Sequence, residues 1–445
     1  MMERQYVATG HSPRGDVDAN KHANSLSPWR VAVIASMGSA VEYYDFALYG
    51  IMAVTVGPLF FPGQSELGAI LSALGIFASA FLVRPLGGAF FGWLGDKHGR
   101  SMTLIVTVLG MGVASTILGL LPTYETIGFF APVLLLTCRL AQGFFAGGEV
   151  SGAVTYISEC APTNRRGFFG SFNPAGVSIG IGGAAAVAGL FSYVLGAEEM
   201  RAWGWRVPFL LCLPLVFLTL WARMKLEDSP HFVSIAKDKK TVRTPLRDIF
   251  TMHKVPLLKL IGIALAQSAC AYLGLVYFNV HLTKVMGYNS VQVFWLMALA
   301  PALSALLMPV FGALSDTYGR RKLLISGYLG YLVLVPVCFR MMNIGDFGLA
   351  ALATFIAFLP FAIVQAVGYP LYAELFPTRV RYSGVSVGFN IAAILGGATT
   401  PYLSTWLVQQ TGNKESPAYF VMATALIAIV TLFTVQETSK AALRD

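Results

Sequence analysis

From residue 30 onward the chain is a succession of apolar runs, each about the 20 residues needed to cross a hydrocarbon core, broken by short polar stretches. Over 445 residues, 56% are hydrophobic and only 12% are charged. Soluble domains carry about 25% charged residues, so this chain reads as one solvated by lipid. That excludes a soluble enzyme, a secreted disulfide scaffold, a nucleic-acid binder and a disordered chain. The runs are continuous rather than alternating, which argues against a β-barrel. The expected fold is all-α and integral to the membrane.

Twelve spans are expected, at 30–57, 68–94, 102–122, 128–158, 167–195, 203–225, 256–283, 290–314, 323–342, 347–375, 383–408 and 417–437. The longest polar stretch inside the array, 226–255, divides them six and six. The expected organisation is a tail at 1–29, bundles at 30–225 and 256–437 joined by the 226–255 loop, and a tail at 438–445.

The net charge of +9 is explained by topology. With both termini in the cytoplasm, 24 of the 31 Lys and Arg residues fall on the cytoplasmic side, five fall on the other side, and Arg84 and Arg139 lie within spans. The expected location is therefore the cytoplasmic membrane with both termini inside. The tail at 1–29 has no apolar core of a signal peptide. The five Cys residues form no CxxC pair, and the six His show no ligand spacing, so packing rather than metal or redox work is expected of them.

The chain repeats itself. Gly92, Gly95, Asp96, Gly99 and Arg100 follow span 2; Gly312, Ser315, Asp316, Gly319, Arg320 and Arg321 follow span 8. Glu159, Pro162 and Arg166 end span 4; Glu374, Pro377 and Arg381 end span 10. Two motifs in the same order, at nearly one offset, imply two pseudo-symmetric six-helix halves.

These loops resemble the signature of the major facilitator superfamily. Arg139, Gln142 and Gly143 with Gly147 and Gly148 resemble its second motif. Glu42, Tyr43, Tyr44, Asp45, Phe46, Tyr49 and Gly50 resemble the metabolite:proton symporters more narrowly. So do Arg84, Pro85, Gly87 and Gly88, Glu149 after its glycine pair, and Trp203, Trp205, Arg206, Pro208 and Phe209. Within that family, Ile127, Gly128, Ala131, Pro132, Arg166, Gly167, Phe168, Phe376, Pro377, Thr378, Arg381, Tyr382, Ser383, Asn390, Pro417, Ala418 and Tyr419 look most like the proline/glycine-betaine transporters. The best-known osmosensing members carry an acidic C-terminal extension with a coiled coil. This chain stops at Asp445, so regulation through such a tail is not expected.

Five ionisable residues lie well inside spans: Glu42, Asp45, Arg84, Arg139 and Glu149. A central Arg, Lys or Asp costs about 2.5–3.5 kcal/mol to insert, so each is expected to pair or to line a wet cavity. Glu42, Asp45 and Tyr49 share a face of span 1. A carboxylate that meets Arg in one conformation and not in another can bind and release a proton. The resemblance implies Asp45 as proton carrier with Arg139 as its partner, and Glu42 as a second candidate; the alternative is a permanent structural bridge. Glu149 is expected to pair with Arg84 or to meet a cationic ligand.

The C-terminal half has no mid-span charge. It offers Gln267, Tyr272, Tyr277, Asn279, Trp295, Gln365, Tyr369, Tyr372 and Asn390. A methylammonium group can sit on aromatic faces. The candidate substrate contacts are Tyr44, Tyr49, Arg84, Gln142, Glu149, Tyr272, Tyr277, Trp295, Gln365, Tyr369 and Asn390. The resemblance further implies a gate built by Gly92, Asp96, Gly99, Arg100, Asp316, Arg320 and Arg321, with Glu159/Arg166 and Glu374/Arg381 as clasps.

The expected function is proton symport of a small zwitterionic compatible solute of proline or betaine type, by alternating access. An organic-acid:proton symporter of α-ketoglutarate, citrate or shikimate type is the rival. A non-transporting sensor and an intramembrane enzyme are rivals of another class, but Walker and HExxH residues are missing. The expected partners are a small-molecule substrate, protons and membrane lipid, with the monomer as working unit and no nucleic acid, cofactor or metal.

Overall fold

The computed structural model describes residues 27–98, 100–223, 245–441 and 443. The tail up to residue 26, residues 224–244 of the central loop, and the last two residues lie outside the described residues. The six helices of the N-terminal half are α1 (Pro28–Phe60), α2 (Glu66–His98), α3 (Arg100–Leu120), α4 (Phe130–Ala146 and Glu149–Cys160), α5 (Phe172–Glu199) and α6 (Arg206–Leu210 and Cys212–Arg223). Those of the C-terminal half are α7 (Lys254–Val285), α8 (Ser290–Tyr318), α9 (Arg320–Met342), α10 (Phe347–Glu374), α11 (Thr378–Ala392, Ala393–Ala398 and Thr399–Thr411) and α12 (Ser416–Phe433). Among the described residues, eight helices are long and apolar enough to cross a membrane, and three shorter apolar ones belong to α3, α4 and α6. With the 33-residue α1 these are consistent with twelve spans.

Small residues let the helices approach. A Cβ on Gly143 of α4 would strike the carbonyl of Ala80 in α2, and one on Gly180 of α5 would strike the carbonyl of Ala40 in α1. Close backbone contact of this kind holds helices together where lipid removes the hydrophobic drive. It presses α1 and α2 against α5 and α4, so the charged stretch of α1 is enclosed on both sides.

Four elements depart from the expected spans. Span 4 breaks at Gly147 and Gly148 into two pieces. Wider i→i+5 turns interrupt α7 at Leu273–Tyr277 and His281–Val285, and α11 at Ala393–Ala398. Such turns recur at functional sites in other helices. Span 12, expected to run to 437, ends at Phe433, because the next residues turn back under the bundle: Glu437 accepts from the backbone N–H groups of Arg320 (2.8 Å) and Arg321 (3.1 Å) at the start of α9. Burial alone would push the Glu437 carboxyl up; backbone donors, including that of Ser439, outweigh this and hold it below the ordinary range.

Candidate functional site

Between the halves lies a cavity of about 20 Å3, lined by Tyr43, Val177 and Ser178 from one half and by Gln267, Ser268, Ala271, Tyr272, Leu275, Phe361, Gln365, Tyr369 and Phe389 from the other. That is room for about one water, so the site is closed around itself. Two glutamines of its C-terminal wall belong to a polar trio with Tyr372, which stands behind the lining. Gln267 donates to Gln365 (2.9 Å), and the Tyr372 hydroxyl donates to Gln267. The rings of Tyr43, Tyr272, Phe361, Tyr369 and Phe389 form half of the remainder. Tyr272 reaches across the interface to the rings of Phe77 (5.8 Å) and Phe81 (5.4 Å).

Glu42 and Asp45 stand three positions apart on α1, about 60° around the helix, and this angle sends them to different partners. Glu42 meets Arg84 of α2 at 2.5 Å, both side chains 2% exposed. Arg84 therefore pairs with Glu42 and not with Glu149, correcting the expected bridge; Glu149 is buried and lines a small cavity with Glu42, Thr107 and Phe145. The Arg84 guanidinium lies over the rings of Phe46 (4.5 Å) and Phe81 (5.3 Å). Phe81 touches Tyr272, so one ring separates the ion pair from the cavity.

Asp45 faces α3, α4 and α6. Gln142 donates to its two carboxylate oxygens at 3.2 and 3.0 Å, and the Cys212 thiol lies 3.5 Å from one of them. Arg139 does not touch Asp45: its Nη1 donates to the Gln142 carbonyl oxygen at 2.8 Å. The expected direct pair is thus a bridged one. The rest of the guanidinium stacks on Tyr49 (4.3 Å), Phe46 (4.9 Å) and Phe77 (5.5 Å). Phe46 is shared by both buried guanidinium groups. Stacks of this kind, when desolvated, are worth about 2 kcal/mol each and offset part of the cost of burying a cation in the span.

The other expected contacts divide. Tyr272, Gln365 and Tyr369 line the cavity. Tyr44 donates to the Pro208 carbonyl (3.0 Å) and Tyr49 to that of Ala73 (3.2 Å), which ties α1 to α6 and α2. Tyr277 lies 3.4 Å from His281 Nδ1, and Asn390 donates weakly to Ser386. Trp295 is 41% exposed on the outer surface, away from the cavity.

Both ends of the central path are closed. On the face bearing the chain termini, the repeated motifs exchange partners between halves: Arg166 meets Glu374 at 3.5 Å, and Arg381 meets Glu159 at 3.2 Å. The expected clasps were within each half; the structure crosses them. Arg320 binds Asp316 (2.7 Å) and Glu374 (3.3 Å). Asp316 also accepts the backbone N–H groups of Gly167 (2.8 Å) and Phe168 (2.9 Å), at the helix N-terminus leading into α5, where a carboxylate is favoured. Thr438 donates to Glu374 at 2.5 Å, and Arg166 also donates to the Ala441 carbonyl at 3.0 Å. Gly92, Asp96 and Arg100 fall within α2 and α3, but their surroundings, and Gly99 altogether, lie outside the described residues. On the opposite face, Asn279 donates to the Ile51 carbonyl (2.8 Å), and Lys284 meets Glu66 at 2.5 Å.

Tyr43, Ser178, Ser115, Cys212, Glu66, Lys284, Glu437 and Thr438 were not singled out from the sequence. Only Tyr43 carried a signal there, as a neighbour of Glu42. The others acquire their roles from contacts across large separations, such as the 218 residues between Glu66 and Lys284.

A central cavity between two six-helix halves, with ion pairs and hydrogen bonds joining the halves on either side of it, fits a multi-pass membrane transporter. The family profile of the Major Facilitator Superfamily matches residues 35–388 and 290–445. The chain is 36% identical over 423 residues to the proline/betaine transporter of Salmonella typhimurium, covering 92% of this chain and 84% of that one. It is 34% identical over 427 residues to the shikimate transporter of Escherichia coli, covering 94% and 97%. The partially occluded inward-open structure of the xylose transporter XylE from E. coli superposes with a TM-score of 0.73 at 18% identity, over 94% of this chain and 100% of that one. The chain belongs to the Major Facilitator Superfamily.

Proposed function

We propose that the chain is a proton-coupled symporter that imports a small zwitterion of proline or betaine type by alternating access. One observation carries the substrate class. The Glu42–Arg84 pair, with one charge of each sign, lies a single ring from a cavity walled by Tyr43, Tyr272, Phe361, Tyr369 and Phe389. A zwitterion presents the same two charges: its carboxylate can replace Glu42 on Arg84 while its ammonium meets Glu42 and the aromatic faces. A tricarboxylate would bring charge that the described residues around the cavity do not balance. The name of the 36% identical relative supports the same class.

Asp45 is the proton carrier in this reading, and Arg139 its partner. In this reading the face where the described residues begin and end is the cytoplasmic one, which the excess of Lys and Arg on that side supports. Breaking the crossed pairs there opens the site inward; breaking Asn279–Ile51 and Lys284–Glu66 opens it outward. The bundles at 30–225 and 256–437 are the two rocking bodies.

The shikimate transporter relative favours a second reading, in which the cargo is an organic acid. Counterflow in proteoliposomes separates the two. Labelled proline and glycine betaine should exchange, and shikimate, citrate and α-ketoglutarate should not. Exchange of an acid with neither zwitterion moving would reverse the assignment.

A further inference from the structure

We infer that Gln142, oriented by Ser115, is a positioning residue that holds Asp45 and Arg139 apart in the closed state and thereby sets how tightly substrate movement is coupled to the proton. The inference rests on the proposal that Asp45 carries the proton.

Arg139 is fully buried, yet only Nη1 makes a hydrogen bond; Nε and Nη2 have no hydrogen-bond partner. A pair built for stability would set the carboxylate directly on the guanidinium fork, where two parallel bonds form. Here an uncharged amide is interposed instead, and unmade bonds on a buried cation are costly. The arrangement stores unused donors on Arg139 for a conformation in which Asp45 reaches it.

The amide has a fixed direction. The Ser115 hydroxyl donates to the Met111 carbonyl at 2.9 Å, which leaves only its lone pairs for Gln142. Gln142 Nε2 must therefore face Ser115, at 2.8 Å, and the same nitrogen reaches Asp45. Its oxygen is then turned to Arg139. The amide dipole lies between the two charges with its positive end on the carboxylate and its negative end on the guanidinium. A proton arriving on Asp45 cancels the charge at one end and weakens the bridge. The amide moves no proton; it transmits the charge state of Asp45 to Arg139. Around Asp45 the facing groups are Ser115 from α3, Gln142 and, through it, Arg139 from α4, and Cys212 from α6.

The test compares two readouts in proteoliposomes: accumulation under an inward proton gradient, and counterflow at equal pH. Gln142→Met keeps the length of the side chain and removes the bridge. The expected result is a loss of accumulation of about 5–150-fold, the range of an ordinary coupling free energy, far exceeding the loss of counterflow. Ser115→Ala should show the same split more weakly, and Ser115→Thr, which keeps the hydroxyl, should restore wild-type accumulation. Parallel losses in both readouts, or no loss of accumulation in either Gln142→Met or Ser115→Ala, would overturn the inference. Should Gln142→Met fail to fold, the Ser115 pair decides alone. Asp45→Asn is measured beside them: if it still accumulates substrate, the proton-carrier proposal itself has failed, whereas loss in Asp45→Asn with full coupling in Gln142→Met refutes only the positioning role.

Discussion

Replacing Glu374 by Gln should open the proposed cytoplasmic gate. The Glu374 carboxylate is buried and accepts from Arg166 of the other half (3.5 Å), from Arg320 (3.3 Å) and from Thr438 (2.5 Å). Only the Arg166 contact crosses between halves, so only it is lost on opening. At an effective dielectric of about 20, two unit charges at that separation attract by about 5 kcal/mol. Gln retains an acceptor oxygen and Arg166 keeps the Ala441 carbonyl, so the loss should fall to about 2–3 kcal/mol, within the range seen when buried charge pairs are broken. In the open state both groups meet water and the change costs little. The balance between closed and open should therefore move about 30–150-fold toward open, at 1.4 kcal/mol per tenfold. The assay is a spin-label distance between Asn164→Cys and Lys322→Cys, both exposed positions, one in each half. A Cys160→Ser background suits it, because the other four thiols are buried. The variant should show a new, longer distance population. A distribution identical to wild type would refute the assignment of this cluster as the gate.

On the opposite face the two contacts should differ in weight. Lys284→Ala removes an ion pair whose Glu66 side is 56% exposed, worth about 0.2–1 kcal/mol, while Asn279→Ala removes a buried bond worth about 1–1.5 kcal/mol. External accessibility of a cysteine placed at Ser178 should rise about 5–10-fold in the second and less in the first; equal effects would contradict the ranking. Gly143→Ala drives a Cβ into the Ala80 carbonyl; overpacking of this kind costs about 1–3 kcal/mol or more, so the melting temperature in detergent should fall, and an unchanged value would mean that α2 and α4 separate freely.

The twelve-span pattern, the two-half repeat and the Glu and Arg residues that form ion pairs at one end of the bundle were legible because each rests on local composition or on a motif that repeats along the chain. Partner choice was less so. Glu42, Asp45 and Tyr49 were recognisable as one face of α1, but the 60° between the two acids, which gives Arg84 to Glu42 and Gln142 to Asp45, depends on which helices pack on either side. The crossed clasps show the same limit. Each Glu and Arg was visible in its own motif, yet Glu159 and Arg381 meet only because the halves close on each other. Trp295 looked like an aromatic of the site; a helix that is apolar all round hides which of its faces meets lipid, and the structure turns this ring outward. The turn-back after Phe433 carried no periodic signal, because its hold on α9 comes from backbone donors.

Proton coupling through Asp45 is tested most directly by uptake of labelled proline and glycine betaine into proteoliposomes under an inward proton gradient, with wild type and Asp45→Asn side by side. Wild type should concentrate the zwitterion and lose the gradient effect when the proton gradient is collapsed; the variant should exchange substrate but never concentrate it. Accumulation undiminished in Asp45→Asn, or wild-type uptake indifferent to the gradient, would contradict proton symport through this carboxylate.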